Sequence, residues 1–142
     1  MTEIIFTEKI TEDLDVLVGQ GFEEHSAEHG LNCDYNEFAF IAKENGETVG
    51  AVLGNVYFSE VHISELIVAK SHRGMDIGTK LIQAVAERYS GGRYECISLT
   101  THRFQAPKFY EKCGFETEFI RKSRIDPKQD KFFMVKYFDI QK

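Results

Sequence analysis

The sequence predicts a single α/β domain over residues 1–142, with a mixed, mostly antiparallel central sheet and helices on both faces. Two observations carry this prediction. Asn45-Gly46 separates two alternating segments, which is the pattern of an antiparallel hairpin. Residues 61–100 read as strand, helix and strand, an order that makes the two strands parallel neighbours. A chain of 142 residues is long enough to bury a core of its own.

The N-terminal part is expected to begin with a short strand over residues 3–6 and to continue as a helix. Thr11 is suited to the N-cap, and apolar residues then recur at helical spacing. Gly19 and Gly21 weaken this helix and could split it in two. The hairpin strands follow, at residues 37–43 and 48–58.

Glycines and prolines mark the other boundaries. Gly50 and Gly54 within the second hairpin strand indicate a bend, a bulge or close packing under a helix. After the strand over residues 61–69, a helix is expected from Ile77 to the glycine pair at residues 91–92. The remaining predicted elements are a strand over 95–100, a short helix over 106–112, and a closing hairpin with strands over 116–125 and 131–138.

Composition excludes several classes of function. A net charge of −6 argues against nucleic acid as a partner, because phosphate contacts require a basic surface. No apolar run reaches the roughly 18 residues of a membrane span. Residues 1–3 lead straight into a strand pattern, without the basic and apolar segments of a signal sequence, so a soluble cytoplasmic protein is expected. Cys33, Cys96 and Cys113 lack disulfide or metal-site spacing and are expected to be reduced thiols, with Cys96 in the core.

The segment between the strand at 61–69 and the next helix is a candidate phosphate site. It is a basic, glycine-bearing turn that includes Arg73, Gly74 and Gly78. Such a turn directs several backbone N–H groups and the positive end of a helix dipole at one point. The sequence therefore predicts phosphate binding where the helix starts.

This turn resembles the acyl-CoA pyrophosphate loop of the GNAT N-acetyltransferase family, Gln/Arg-x-x-Gly-x-Gly/Ala, with Asp76 in place of the first glycine. Residues 104–115 resemble a second GNAT signature, Ala-x-x-Phe/Leu-Tyr-x-Lys-x-Gly-Phe, in which Tyr110 and Lys112 occupy family positions. The resemblance covers residues 36–138. It implies the GNAT fold, with a splay between the fourth and fifth predicted strands, at 61–69 and 95–100.

The resemblance also implies acetyl-CoA as co-substrate, with no metal. The pyrophosphate would bind the loop, and the pantetheine arm would pair with the main chain of the preceding strand, as an added strand would. Lys108 and Lys112 could meet the 3′-phosphate. The residues implied at the cofactor are Leu66, Ile67, Val68, Arg73, Gly74, Met75, Asp76, Ile77, Gly78, Thr79 and Lys112.

Two departures from the family bear on the cofactor. The Asp76 carboxylate either turns outward as an N-cap, leaving its N–H toward the ligand, or points inward and repels the phosphates. Arg103 stands where the family often has asparagine, which removes one expected cofactor contact and could add a charged one.

Three side chains are candidates for catalysis. In the family, the tyrosine matching Tyr110 lies near the thioester sulfur, where a phenol can protonate the leaving thiolate. His62 lies on the strand before the loop, where an imidazole could accept the amine proton directly or through water. Glu65, expected on the opposite face of that strand, is the second candidate base. No dedicated base is needed if the amine arrives uncharged.

The function that these features imply is acetyl-CoA-dependent N-acetylation of a small-molecule primary amine, by direct attack on the thioester. The alternative is a non-catalytic acyl-CoA-binding or dimerisation module that kept the fold. Homodimerisation is common in the family and could use the last hairpin.

Overall fold

The computed structural model describes residues 1–139. The chain divides into two compact units, residues 1–34 and residue 35 onward. The second unit contains all the candidate site residues. A single domain over residues 1–142 stays a prediction.

The N-terminal unit contains one long helix, α1, at Glu12–Glu28. Thr11 occupies the N-cap position as predicted, although its side chain makes no capping hydrogen bond. Gly19 and Gly21 do not split α1, since a helical glycine costs only about 1 kcal/mol and keeps the helix hydrogen bonds. The predicted strand over residues 3–6 was wrong. A strand needs a neighbour to pair its backbone, and residues 1–34 contain none.

The second unit is built on one sheet, which has six strands in the described part of the chain, in the order β1-β2-β3-β4-β6-β5. Neighbouring strands are antiparallel except β3 and β4, which run parallel. The predicted mixed, mostly antiparallel α/β fold is confirmed. The strands are β1 Asn36–Glu44, β2 Glu47–Tyr57, β3 Glu60–Val68, β4 Cys96–His102, β5 Glu116–Arg121 and β6 Lys131–Tyr137.

Two further helices connect these strands. Helix α2, Ile77–Tyr89, joins β3 to β4, and α3, Pro107–Lys112, joins β4 to β5. The β1–β2 hairpin turns at Asn45 and Gly46, whose φ angles of 50° and 82° are the positive values that a two-residue hairpin turn requires. The predicted hairpin and the predicted parallel pair are therefore both present.

The core lies on one face of the sheet, which we call the core face; the other is the open face. Helix α2 packs on the core face through Ile77, Leu81, Ile82 and Val85, the spacing that the sequence predicted. Gly50 allows this close approach, because a Cβ there would lie 3.2 Å from Ile77 Cγ2. Each fully buried aliphatic side chain contributes roughly 1.5–3 kcal/mol to stability.

Residues 122–130 form a loop instead of extending the last hairpin. The Ser123 N–H donates to Asp130 Oδ1 at 2.8 Å, and the Asp126 side chain accepts from the Lys128 N–H at 3.0 Å. These side chains satisfy backbone groups that a longer strand would have paired, so β5 ends at Arg121. No helix among residues 1–139 is long and apolar enough to cross a bilayer.

Candidate active site

The parallel strands β3 and β4 separate soon after they meet. Three register pairs join them, from Glu60 with Cys96 to His62 with Ser98. Both strands continue past this point without further pairs between them in the described residues. The predicted splay is therefore present. It lies between the third and fourth strands of the observed sheet because the strand expected at residues 3–6 does not form.

A β-bulge in β3 brings Glu65 to the same face as His62. Leu53 and Asn55 are two residues apart on β2 and share the open face, yet their partners Glu65 and His62 are three apart. The extra residue interrupts the alternation of side chains. The prediction that Glu65 lies on the face opposite to His62 was wrong, because it assumed strict alternation.

Gly54 makes this bulge possible. A Cβ at Gly54 would collide with the carbonyl oxygen of His62 and with the ring of Phe38. The bulge that the sequence suggested as one possibility is present at this glycine, whereas close packing under a helix occurs at Gly50, against Ile77. The backbone that carries His62 is thus held directly against β2.

His62 lies half-buried on the open face, at the last register pair before the splay. Its Nδ1 is 3.0 Å from Ser98 Oγ. The Ser98 hydroxyl donates to Glu60 Oε2 at 2.9 Å. Sequence reasoning missed both Ser98 and Glu60. The serine between the apolar residues Ile97 and Leu99 of β4 was the signal that could have drawn attention to Ser98.

The loop between β3 and α2 presents backbone donors. Its chain reverses through positive φ angles at Gly74, 81°, and Asp76, 60°. The first backbone bond into α2 runs from the Lys80 N–H to the Asp76 carbonyl, at 3.0 Å. From Gly74 to Thr79, no backbone N–H donates to any group within residues 1–139. Free donors at the positive end of a helix suit a pyrophosphate.

Asp76 replaces the glycine of the family pattern at a position with positive φ. Aspartate is one of the few residues other than glycine that adopt this conformation readily. Asp76 is exposed and occupies the N-cap position of α2, but its side chain makes no capping bond. The substitution therefore keeps the backbone shape of the loop and adds a carboxylate to its rim.

The side chains of Arg73 and Thr79 already have partners. Arg73 Nε donates to the Val68 carbonyl at 3.3 Å, which draws this exposed guanidinium toward the end of β3. A hydrogen bond joins the Thr79 hydroxyl to the Cys113 thiol. Burial raises the pKa of Cys113, and this hydrogen bond offsets part of that rise. Thr79 thus offers a ligand its backbone N–H, while its hydroxyl links α2 to the end of α3.

Tyr110 is buried in α3, with 8% of its surface exposed. Its ring packs edge-on against Phe109 and Phe115. Its hydroxyl makes no hydrogen bond within the described residues. Burial raises the pKa of Tyr110 to about 12, with a smaller contribution from the charge of Cys113. The phenol therefore keeps its proton at neutral pH and has that proton available to donate.

Close contact with α2 positions α3. A Cβ at Gly78 would lie 3.1 Å from Phe109 Cζ, so the Phe109 ring packs against the first turn of α2. Tyr110 belongs to the core cluster, whereas His62 lies on the open face. The candidate acid and the candidate base are thus on opposite faces of the sheet, at the splay.

The charged candidates near α3 differ in their surroundings. Lys108 and Lys112 are exposed. Arg103 Nη2 forms an ion pair with Asp130 Oδ2 at 3.1 Å, and its guanidinium lies 4.8 Å from the centre of the Phe132 ring. The Ser123 N–H and then Arg103 lower the pKa of Asp130. Arg103 therefore ties the end of β4 to the start of β6, a pairing that sequence reasoning missed.

A groove of about 300 Å³ lies between β1 and α2, and none of the catalytic candidates His62, Glu65 and Tyr110 lines it. It is lined by apolar side chains such as Phe40 and Leu81, and Ile77 is the only residue of the loop segment 74–79 that lines it. Within residues 1–139, no three His, Cys, Asp or Glu side chains are grouped to hold a metal ion.

Residues 7–115 match the Acetyltransferase (GNAT) family. The chain belongs to this family. The match covers the splay, the loop between β3 and α2, and α3, and it confirms the GNAT assignment made from that loop and from residues 104–115.

Two curated GNAT relatives align with the chain. One is an uncharacterized N-acetyltransferase of Methanocaldococcus jannaschii, 27% identical over 108 residues, which are 74% of this chain and 66% of the relative. The other is the blasticidin-S acetyltransferase of Streptomyces morookaense, 36% identical over 78 residues, which are 54% of this chain and 57% of the relative. The chain thus spans less than two thirds of the length of either relative.

Solved structures show the same GNAT fold. An acetyltransferase from Bacillus cereus superposes with a TM-score of 0.71 at 23% identity, over 94% of this chain and 98% of that one. An aminoglycoside 6'-N-acetyltransferase complexed with coenzyme A superposes with a TM-score of 0.64 at 17% identity, over 75% of each chain. At these identities the likeness is one of fold.

Proposed function

We propose that the protein is an acetyl-CoA-dependent N-acetyltransferase that acetylates the primary amine of a small molecule by direct attack on the thioester. The observation that carries this proposal is the run of free backbone N–H groups from Gly74 to Thr79, at the start of α2 beside the splay. Free backbone donors at the start of a helix suit phosphate binding. The chain belongs to a family of acetyltransferases, and one of the solved structures that superpose on it is a complex with coenzyme A.

The same region accommodates the rest of acetyl-CoA. Beyond His62, the edge of β3 that faces β4 has no strand partner among the described residues, so it can pair with the pantetheine amides as an added strand would. Leu66 and Val68 turn their N–H and C=O groups toward this edge, although the Val68 carbonyl already accepts from Arg73, whereas Ile67 turns its own toward Ala51 of β2. Arg73 then lies close enough to add positive charge beside the phosphates.

The chemistry requires two proton transfers. The amine nitrogen attacks the carbonyl carbon of the thioester, and the C–S bond breaks as the tetrahedral intermediate collapses. His62 takes the proton that the amine loses, with Glu65 as the alternative base on the same face. Tyr110, whose pKa is raised by burial to about 12, gives its proton to the departing thiolate. Direct attack leaves no acetyl group on the enzyme.

A small cationic amine is the substrate class that we favour. The name of the relative from Streptomyces morookaense identifies blasticidin-S as its substrate, which is a precedent in the family for small molecules. In this chain, the exposed carboxylate of Glu65 lies on the open face with His62, where it can attract an ammonium group. The net charge of −6 acts in the same direction.

The second candidate is an acyl-CoA-binding module without turnover. The exposed, uncapped carboxylate of Asp76 favours it, because a negative charge on the rim of the loop opposes phosphate binding. An enzyme that binds its co-substrate weakly and a module with no turnover are distinguished by whether any amine is acetylated.

A panel of small amines, with coenzyme A release and product mass as readouts, tests the proposal. Tyr110→Phe should lower kcat by about 10²–10⁴-fold, the usual contribution of a general acid, and leave the Kd for acetyl-CoA unchanged. The matched control is Tyr89→Phe, which removes the hydroxyl of another partly buried tyrosine, at the far end of α2.

Protein incubated with acetyl-CoA alone should keep its mass, since direct attack forms no acetyl-enzyme. Binding of acetyl-CoA without acetylation of any amine would reject the enzyme in favour of the binding module. Equal kcat values for Tyr110→Phe and the wild type would remove Tyr110 from the mechanism.

A further inference from the structure

A chain of hydrogen bonds runs behind His62 at the point where β3 and β4 separate. The Tyr57 hydroxyl donates to Glu60 Oε2 at 2.7 Å, and the Ser98 hydroxyl donates to the same oxygen at 2.9 Å. On its other side, Ser98 Oγ lies 3.0 Å from His62 Nδ1. Because His62 and Ser98 are the last register pair of the two strands, this contact closes the narrow end of the splay.

The number of protons available in this chain of hydrogen bonds determines which group donates in each bond. A glutamate carboxylate only accepts hydrogen bonds, and a serine hydroxyl has one proton to give. Ser98 gives that proton to Glu60, so its oxygen can only accept from His62. The proton of this bond must therefore sit on His62 Nδ1. In a neutral imidazole with a proton on Nδ1, the free lone pair is on Nε2.

We propose that Ser98 and Glu60 are positioning residues that hold His62 in its Nδ1–H tautomer, with Nε2 free to accept the proton of the amine. This inference rests on the proposed function, since it assigns His62 the role of base. Nε2 has no hydrogen-bond partner within residues 1–139, so its lone pair is available to a substrate or to a water. The ring is also fixed in orientation, because its Nδ1 is tied to a neighbouring strand.

The order of donors distinguishes this chain from a nucleophilic serine triad. In such a triad the serine gives its proton to the histidine, and the carboxylate binds the other ring nitrogen. Here Ser98 stands between His62 and Glu60 and gives its proton to the carboxylate. Ser98 is therefore not activated for attack, and no acyl group should form on it.

Nitrogen NMR of the full chain, labelled at histidine, tests the tautomer directly, because the two ring nitrogens differ in shift according to which one carries the proton. The neutral wild-type His62 should be the Nδ1–H form. Ser98→Ala should abolish this preference. Glu60→Gln should do the same, since its amide can donate to Ser98 and reverse the chain. Ser98→Thr, which keeps a hydroxyl, should preserve it.

Kinetics then test whether positioning matters. Ser98→Ala should lower kcat by about 10- to 100-fold, a part of the 10²–10⁴ that a general base supplies, with the KM for acetyl-CoA unchanged. Ser98→Thr should restore most of the rate. The matched control is Ser59→Ala: Ser59 also donates to a glutamate, Glu95, at 3.1 Å, and makes no hydrogen bond with His62 within residues 1–139. It should leave tautomer and kcat unchanged.

Three results would overturn the inference. An Nε2–H tautomer in the wild type would contradict the proton order. The second result is a normal kcat in Ser98→Ala although the tautomer of His62 has changed. If Tyr110→Phe is still impaired, this result would remove the positioning role of Ser98 and leave the proposed acetyltransferase activity standing. A wild type that acetylates no amine would reject the proposed function and the catalytic part of the inference, while the NMR result would still decide the proton order.

Discussion

The buried phenol of Tyr110 should make the stability of the protein fall at alkaline pH in a way that Tyr110→Phe does not. Burial raises the pKa of Tyr110 from 10.0 to about 12. Below pH 10 the phenol is protonated in both the folded and the unfolded chain, so its contribution to stability is complete. Between the two pKa values the unfolded chain loses the proton first, and the folded state loses stability as pH rises.

The size of the effect follows from this shift. Two pH units at about 1.36 kcal/mol each correspond to about 2.7 kcal/mol, lost progressively between about pH 10 and 12. The Tyr110→Phe variant lacks this loss. It should also fold normally at neutral pH, within about 0.5 kcal/mol of the wild type, because the hydroxyl has no hydrogen bond within the described residues to lose.

Urea unfolding of both proteins at about pH 9 and about pH 11 measures the difference. The stability of Tyr110→Phe relative to the wild type should rise by about 1–2 kcal/mol over this range. Salt should not change the result, since burial is the cause of the raised pKa of Tyr110. Tyr137 gives the contrast: the charge of Glu118 is the main cause of its raised pKa, so that pKa should fall in high salt. Parallel pH dependence in the two proteins would show that burial does not raise the pKa of the phenol, and would refute the shift on which this prediction rests.

Three other substitutions test the surroundings of the site. Gly54→Ala should destabilise the protein by about 1–3 kcal/mol or more in urea unfolding, because the new Cβ meets the His62 carbonyl. Gly21→Ala is the control and should not destabilise the protein, because there is open space around Gly21. Equal stability of the two variants would contradict the tight packing at the bulge. Asp76→Gly should tighten acetyl-CoA binding about 5- to 30-fold in calorimetry, because it removes about 1–2 kcal/mol of charge repulsion. Glycine fits the positive φ of this position, so the loop should keep its shape. An unchanged Kd would mean that the carboxylate faces away from the phosphates. Asp130→Asn should destabilise the protein at pH 7 and weaken its loss of stability in acid. The lowered pKa of Asp130 means that its contribution is present above the ordinary carboxyl pKa and is lost as pH falls through the folded value; identical acid unfolding of variant and wild type would contradict this.

The elements that local signals define could be predicted from the sequence. The turn at Asn45-Gly46 depends on two adjacent residues that accept positive φ, and α2 depends on a repeat of apolar residues at helical spacing. The loop between β3 and α2 is likewise contiguous, so its glycines and its position before a helix could be recognised. Tyr110 was recognisable because it lies inside a family motif.

Features that depend on pairing between distant segments could not be predicted. The bulge that brings Glu65 to the face of His62 arises from the register of β3 against β2. The bond between Ser98 and His62 exists only because β4 lies beside β3 for three residue pairs. The strand expected over residues 3–6 had a suitable local pattern, but no neighbour within residues 1–34 to pair with.

Amide NMR mapping of acetyl-CoA on the full chain tests the central claim most directly. The account predicts that the largest shifts fall on the free N–H groups of residues 74–79 and on the unpaired edge of β3 at Leu66 and Val68, with desulfo-coenzyme A shifting the same amides. Shifts that cluster instead in the groove between β1 and α2, or the absence of any shift at saturating acetyl-CoA, would contradict it.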